Sequence, residues 1–352
     1  MGATRRVNWL VREGRMEAFV ASNVHDRGEC QEGTIVRLPL DVCIEFIKTL
    51  QSDGRCPATL AGVQGAAFFA DYTFAIDTLL AEKIRLIRSR LGDADCGIVA
   101  IDIPEGIVAD PTADALMGAI IASAITSAFM VPSVDRRNGT PFTIYTASQA
   151  NEAALQKAGV KFYSPKERLG FHTDGMLRES AVYVPRYIAL YNIIIAYNKP
   201  GCFYWVPFAG WPQFDVWAGM LGWNRPYRFE ATPIVYAGAL DRAEDTRGHV
   251  IEAPVFWQDA GGGDRAVFMN GELLGPVDGD EAFDYGLVAR MKQSIACDAS
   301  RIALPQRQRR LLLMNNTAGF HARDLFDEPI PGARYTRSFM RSVASEGPRI
   351  TA

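Results

Sequence analysis

The sequence predicts a mixed α/β, mainly β fold: a jelly-roll core (a double-stranded β-helix) with an N-terminal and flanking helical layer. Three observations predict it. Helical periodicity is concentrated in the first 140 residues. From about residue 140 the texture changes to short β-branched and aromatic runs separated by Gly and Pro turn signals. No repeat, low-complexity tract or long linker interrupts the chain, which reads as one domain over 1–352, with 1–140 a mixed α/β support region and 141–345 the core.

The elements follow in order. Arg37 to Leu40 reads as a strand and Asp41 to Leu50 as a short helix. Phe68 to Leu91 reads as one amphipathic helix, because Leu80, Ile84, Ile87 and Leu91 recur at helical spacing. Lys83, Arg85, Arg88 and Arg90 then form a solvated face, with a phosphate-binding surface as the alternative. Gly92 and Asp93 stop that helix, and Cys96 to Ile103 reads as a buried strand. Ala115 to Pro132 is apolar but carries Ser123, Thr126 and Ser127 and falls short of a membrane span. It reads as a buried helix, started by Asp110 as cap and Pro111 in the first turn.

Further on, Phe142 to Thr146 is a strand, Asn151 to Gly159 a short helix, and Gly170 to Asp174 the end of a strand. Arg186 to Tyr197 is apolar enough for a central strand, and Pro200-Gly201 turns into Cys202 to Phe208. Val250 to Trp257 and Arg265 to Asn270 flank a hairpin tip at Gly261 to Gly263; the stretch to Leu274 could form a lid. Ala282 to Ala296 reads as a helix, and Arg310 to Asn315 and Tyr335 to Val343 as late strands.

Composition is that of an ordinary globular protein, 48% hydrophobic and 22% charged, with a net charge of −3 and a pI of about 5.9. This balance argues against a general nucleic-acid or anionic-membrane surface and leaves a local basic patch possible. The six cysteines are scattered without metal-binding spacing, and the start of the chain carries no apolar leader pattern. Both point to a reduced, cytoplasmic protein; neither speaks to oligomeric state.

Two stretches carry the chemistry. In Gly170-Phe171-His172-Thr173-Asp174-Gly175, His172 and Asp174 are two apart, which on an extended backbone sends both side chains to one face. The partner stretch, Asn315-Asn316-Thr317-Ala318-Gly319-Phe320-His321, supplies a second imidazole at His321. Two His and one carboxylate on separate strands form the facial triad that holds Fe(II) with positions left open. The same three residue types also hold zinc in hydrolases. Downstream, Arg334, Arg337 and Arg341 offer guanidiniums, which match a carboxylate bidentately. His25 and His249 have no partner pattern and read as structural. Trp205, Trp211, Trp217 and Trp223 read as core.

His172-Thr173-Asp174, Asn316 through His321 to Arg323, Phe326, and Arg337-Ser338-Phe339-Met340-Arg341 together resemble the taurine dioxygenase and clavaminate synthase-like branch of Fe(II)/2-oxoglutarate-dependent dioxygenases. The resemblance covers roughly 140–345. It implies Fe(II) on His172, Asp174 and His321, with 2-oxoglutarate and O2 as cosubstrates and Arg337 on the distal carboxylate of 2-oxoglutarate. Arg334 competes for that role, and Arg341 would face the substrate. Two departures stand out. Relatives place a Thr after the Pro-Gly turn, where this chain has Cys202-Phe203-Tyr204, so Tyr204 becomes a candidate cosubstrate donor. Relatives also have Arg where Thr317 stands. Arg265 and Asn270 are further substrate candidates on the lid stretch. Halogenating relatives replace the carboxylate with a small residue, so Asp174 implies hydroxylation or another C–H oxidation. The expected substrate is a free amino acid or a metabolite derived from one. A non-catalytic metal-binding jelly roll and a zinc hydrolase on the same triad are the alternatives.

Overall fold

The structure, a computed structural model, describes residues 7–12, 15–20, 34–63, 66–135, 139–148, 164–178, 181–230 and 250–350. His25, His249 and the short helix expected over Asn151 to Gly159 lie outside the described residues. The fold is mixed α/β and mostly β. Ten strands frame the site: β1 Ile35–Arg37, β2 Ile98–Asp102, β3 Thr143–Ala147, β4 Leu169–His172, β5 Tyr187–Ile195, β6 Cys202–Pro207, β7 Ile302–Pro305, β8 Arg310–Asn315, β9 Gly319–Arg323 and β10 Arg337–Val343. Six of them form one sheet in the order β1-β2-β8-β5-β10-β3, antiparallel except for β1 with β2. Four form a second sheet in the order β7-β6-β9-β4.

Strand alternation explains how these sheets stack. In β2, Val99 and Ile101 join one core cluster while Ile98 and Ala100 join another. Both faces are therefore buried, which is why the sequence there is continuously apolar rather than alternating. Val99, Ile101, Tyr191, Leu311, Leu313 and Met340 face the helices α1 Leu40–Ser52, α2 Ala66–Leu79, α3 Ala81–Gly92 and α4 Pro111–Ser127. On the opposite face, Ile98, Ala100, Ile188, Leu312 and Met314 pack with Phe203, Trp205, Ile302 and Leu304 of the second sheet. The outer side of that second sheet presents Phe171, Val206, Phe320 and Ala322 to α5 Phe214–Leu221 and α6 Leu287–Ala296. Trp205, Trp211 and Trp217 are fully buried and Trp223 packs against the same aromatic cluster, as core residues.

The local signals mostly act as the sequence implies. Asp110 caps α4 by accepting from the Ala113 amide at 2.7 Å, with Pro111 next. No helix is long and apolar enough to cross a membrane among the described residues. Several elements differ from the expectation: the first strand runs over Ile35–Arg37 and Leu40 already belongs to α1, and the helix expected from Ala282 begins at Leu287. The helix over Phe68 to Leu91 is two helices, parted at Leu80 by a single non-helical residue (φ −121°, ψ 25°). The spacing survives the break, since Leu80, Ile84, Ile87 and Leu91 are all buried, so periodicity carries no mark of it. The run from Val250 splits into Val250–Pro254 and Phe256–Gln258, because Pro254 has no amide to continue a ladder. Helix α5 is a further element without an expected counterpart: Phe214, Trp217, Ala218 and Leu221 keep helical spacing, but apolar Val216 and Met220 on the exposed face mask it. The hairpin at Gly261 to Gly263 is present, Phe256–Gln258 pairing with Arg265–Val267.

Candidate metal centre and its pocket

Strands β4 and β9 are neighbours, and their register sets His321 opposite His172. The two imidazoles lie 4.1 Å apart, centroid to centroid, and His321 stacks on Phe203 of β6 at 5.8 Å. Asp174 sits just past the end of β4. Its Oδ1 is 3.5 Å from His172 Nε2 and 3.7 Å from His321 Nε2. The three side chains thus offer one ligand atom each, all within 4.8 Å of one another, and all three are buried. His172 Nδ1 lies 2.9 Å from the Gly170 carbonyl, which leaves Nε2 with its lone pair toward the centre.

The turn that delivers Asp174 is clamped from three sides. Between the two ligands, Thr173 points the other way; its hydroxyl donates to the Val267 carbonyl at 2.6 Å and accepts from the Met269 amide. Asn316 accepts from the Asp174 amide and donates to the Asp174 carbonyl, both at 2.9 Å, and also to Pro185. Gly175 leaves room for Phe268, since a Cβ there would stand 2.4 Å from its ring. Replacing Asn316 with Ala would leave a buried amide and two buried carbonyls unpaired, each worth about 1–3 kcal/mol. Asn316→Ala is expected to lower the urea midpoint and, by loosening the Asp174 turn, to weaken Fe(II) binding about 10–100-fold. A variant with unchanged metal affinity would show that Asn316 only holds the loop.

The electrostatics suit a divalent cation. Burial pushes the Asp174 carboxyl up, but the Arg341 guanidinium and the two imidazoles outweigh it and hold it well below the usual carboxylate range. Arg341 reaches across from β10 and donates from Nη2 to Asp174 Oδ2 at 2.6 Å, leaving Oδ1 facing the two imidazoles. Burial pushes His321 down to about 3, so it is a neutral imidazole with a lone pair to give. The donor set therefore fits iron or zinc.

A pocket opens from this centre between the two sheets. Leu169, Phe203 and Arg323 line it from one sheet, and Leu190, Asn192, Leu312, Arg337, Phe339 and Arg341 from the other. Arg337 is 3% exposed and lies between the rings of Phe326 and Phe339, 4.8 and 4.1 Å from their centroids. Its Nε and Nη1 have no hydrogen-bond partner among the described residues. Burial, and next to it the Arg323 charge, push this guanidinium well below its ordinary range. A buried guanidinium with open N–H groups is the fit for a carboxylate.

The other sequence candidates lie elsewhere. Tyr204 points to the opposite face of β6 from Phe203, as strand alternation requires, and donates to Asp324 Oδ2 at 2.6 Å. Arg334 precedes β10, is exposed, and lies over the Tyr335 ring at 5.1 Å. Arg265 is exposed and lies over the Trp223 ring. Asn270 is buried one residue beyond the Met269 amide that Thr173 receives. Sequence reasoning gave no role to Arg323, Asn192 or Gln306, all of which line the pocket. Arg323 carried a usable signal: it is two residues past His321 on one strand, hence on the same face.

No family model matches the chain, and no curated protein sequence matches it. Solved structures do. An asparagine oxygenase bound to Fe(II), (2S,3S)-3-hydroxyasparagine and succinate is 16% identical, with a TM-score of 0.62 over 88% of this chain and 93% of that one. The non-haem iron oxygenase OrfP bound to iron and α-ketoglutaric acid is 13% identical, with a TM-score of 0.57 over 88% and 93%. OrfP with iron, succinate and (3R,4R)-dihydroxy-L-arginine is 12% identical, with a TM-score of 0.54 over 89% and 94%. At these identities the likeness is one of fold, and it spans nearly the whole of each chain.

Proposed function

We propose that this protein, which shares the fold of those non-haem iron oxygenases, is an Fe(II)/2-oxoglutarate-dependent oxygenase. It oxidises a C–H bond of a free amino acid or an amino-acid-derived small molecule. The reading treats the chain as one oxygenase domain, cytoplasmic, with the two facing sheets forming a double-stranded β-helix. What carries it is the coincidence, in one pocket, of three converging ligand atoms and a buried guanidinium with open N–H groups. A passive metal site has no use for that guanidinium, and a zinc hydrolase has no use for 2-oxoglutarate or O2.

In this reading His172, Asp174 and His321 hold iron. Held there, iron would supply the redox chemistry by which O2 oxidises one substrate C–H bond while 2-oxoglutarate is converted to succinate and CO2. Arg337 takes the distal carboxylate and fixes the cosubstrate along the pocket, while Leu190, Leu312, Phe203 and Phe339 exclude water. Asp174 keeps a carboxylate on the metal, which supports hydroxylation or a related oxidation over halogenation. Arg341, at the Asp174 end of the pocket, is the candidate for a substrate carboxylate. The hydroxyasparagine and dihydroxyarginine bound in those neighbours support an amino-acid substrate.

The test is succinate release and O2 uptake with Fe(II), 2-oxoglutarate and a panel of free L-amino acids. Substrate-stimulated, iron-dependent succinate release is expected. Turnover with zinc in the absence of O2, or no binding of 2-oxoglutarate, would replace this reading with one of its rivals.

A further inference from the structure

We propose that Arg323 and Arg337 form a two-guanidinium anion site that takes a small inorganic anion, chloride above all, in the absence of 2-oxoglutarate, so that chloride competes with the cosubstrate. The proposal rests on the functional reading only for the identity of the competing dicarboxylate.

The geometry begins with Phe326. Its ring has the Arg323 guanidinium carbon 5.3 Å from its centroid and that of Arg337 4.8 Å away. Both arginines are 3% exposed and both line the pocket. Their charges are met differently. Arg323 donates to three backbone carbonyls, those of Asp324, Ser164 and Glu167, at 2.9–3.2 Å. Those carbonyls satisfy its hydrogens without cancelling its charge. Its acidic neighbours are Asp324 and Glu167. The Asp324 carboxylate is engaged by the Tyr204 hydroxyl, the Cys202 amide and, at 3.5 Å, Arg168. Arg337 has no hydrogen-bond partner for Nε or Nη1 among the described residues; the Arg323 charge opposes its own, and the Tyr197 phenol acts the other way.

Two like charges that both approach one aromatic ring inside the protein repel each other, and a buried charge without a counter-ion is costly. Arginine stays protonated rather than shedding its proton, so the charge is not removed by titration. The faces of Phe326 and Phe339 offset part of the cost, but they do not receive N–H groups. A small anion at the open edge of Arg337 meets both demands at once. It accepts the N–H groups and lies in the field of Arg323. A dicarboxylate entering the pocket must then displace it.

The experiment uses the full chain. First, the 35Cl NMR line of chloride is recorded with metal-free protein. It should broaden, narrow again as 2-oxoglutarate is added, and show no site-specific broadening with Arg337→Met. Second, the 2-oxoglutarate dissociation constant is measured across chloride concentrations at fixed ionic strength, the balance being a bulky sulfonate. It should rise linearly with chloride, by about threefold or more over a few hundred millimolar, as mass action requires of a competitor. In Arg323→Gln the chloride slope should flatten, because the field that holds the anion is weakened. An identical dissociation constant in chloride and sulfonate would overturn the proposal, and so would line broadening that survives Arg337→Met. Broadening that depends on Arg337 in a protein that does not bind 2-oxoglutarate would support the anion site and discard the oxygenase reading instead. The wild-type competition reads out even if a variant does not fold.

Discussion

His172→Ala, Asp174→Ala and His321→Ala are each expected to abolish iron-dependent turnover and to weaken Fe(II) binding by more than about 100-fold. The bound follows from outer contacts to a metal ligand, which already cost about 10–100-fold when removed; a direct ligand costs more. The three variants should not unfold the protein. The core between the helices and the six-stranded sheet, and the aromatic cluster behind the four-stranded sheet, involve none of the three residues. Metal therefore orders a site rather than a fold, unlike a zinc finger, where binding and folding are one event. Asp174→Ala carries an extra consequence, because it also removes the acceptor of Arg341. That variant should lose stability beyond the two His variants, as a half-buried guanidinium loses an ion-pair partner. The measurements are Fe(II) titration, succinate release and urea unfolding on the metal-free proteins. Near-normal metal affinity in His321→Ala would remove the triad assignment.

How much of this was legible in the sequence depends on the range of the interaction. Asp110 and Pro111 act over one helical turn, and α4 starts where they say. The His172–Asp174 pair is a local spacing read through strand alternation, and the structure brings His321 to the same point through the β4–β9 register. What the sequence did not disclose is long-range. The break at Leu80 preserves the apolar spacing on both sides, so no periodicity marks it. The direction of Tyr204 depends on which face of β6 meets β9 and the centre. That face carries Phe203 and Trp205, and only the register with His321 fixes it. Asn316 looked like one residue of a motif; its work, closing both backbone groups of Asp174, joins residues 142 apart in the chain. Asn192 and Gln306 enter the pocket from elements with no chemical pattern of their own.

Arg337→Ala is expected to weaken 2-oxoglutarate binding by roughly 30-fold to several thousand-fold. Truncating one partner of a desolvated, hydrogen-bonded charge pair costs about 2–5 kcal/mol, and each 1.4 kcal/mol or so is a decade in the dissociation constant. The upper part of that range is favoured by the setting, because the guanidinium is held by Phe326 and Phe339 and loses little freedom on binding. Arg337→Lys keeps the charge without the planar fork, so its constant should fall between wild type and Ala. Iron affinity should barely change, since Arg337 is not among the three ligand residues. Two neighbours are the controls. Arg334→Ala should bind 2-oxoglutarate like wild type, because that side chain lies over Tyr335 at the surface. Arg341 shares the pocket face with Arg337. The register irregularity beside Ser338 and Phe339 places the extra residue, Ile193, in β5, so alternation along β10 is intact. Arg341 is committed to Asp174 Oδ2, so Arg341→Ala should disturb metal binding more than cosubstrate binding. A large loss at Arg334 with Arg337→Ala near wild type would move the cosubstrate out of this pocket. Equal losses at Arg337 and Arg341 would instead mean that 2-oxoglutarate spans both guanidiniums, leaving the substrate to be held by residues outside the two facing sheets.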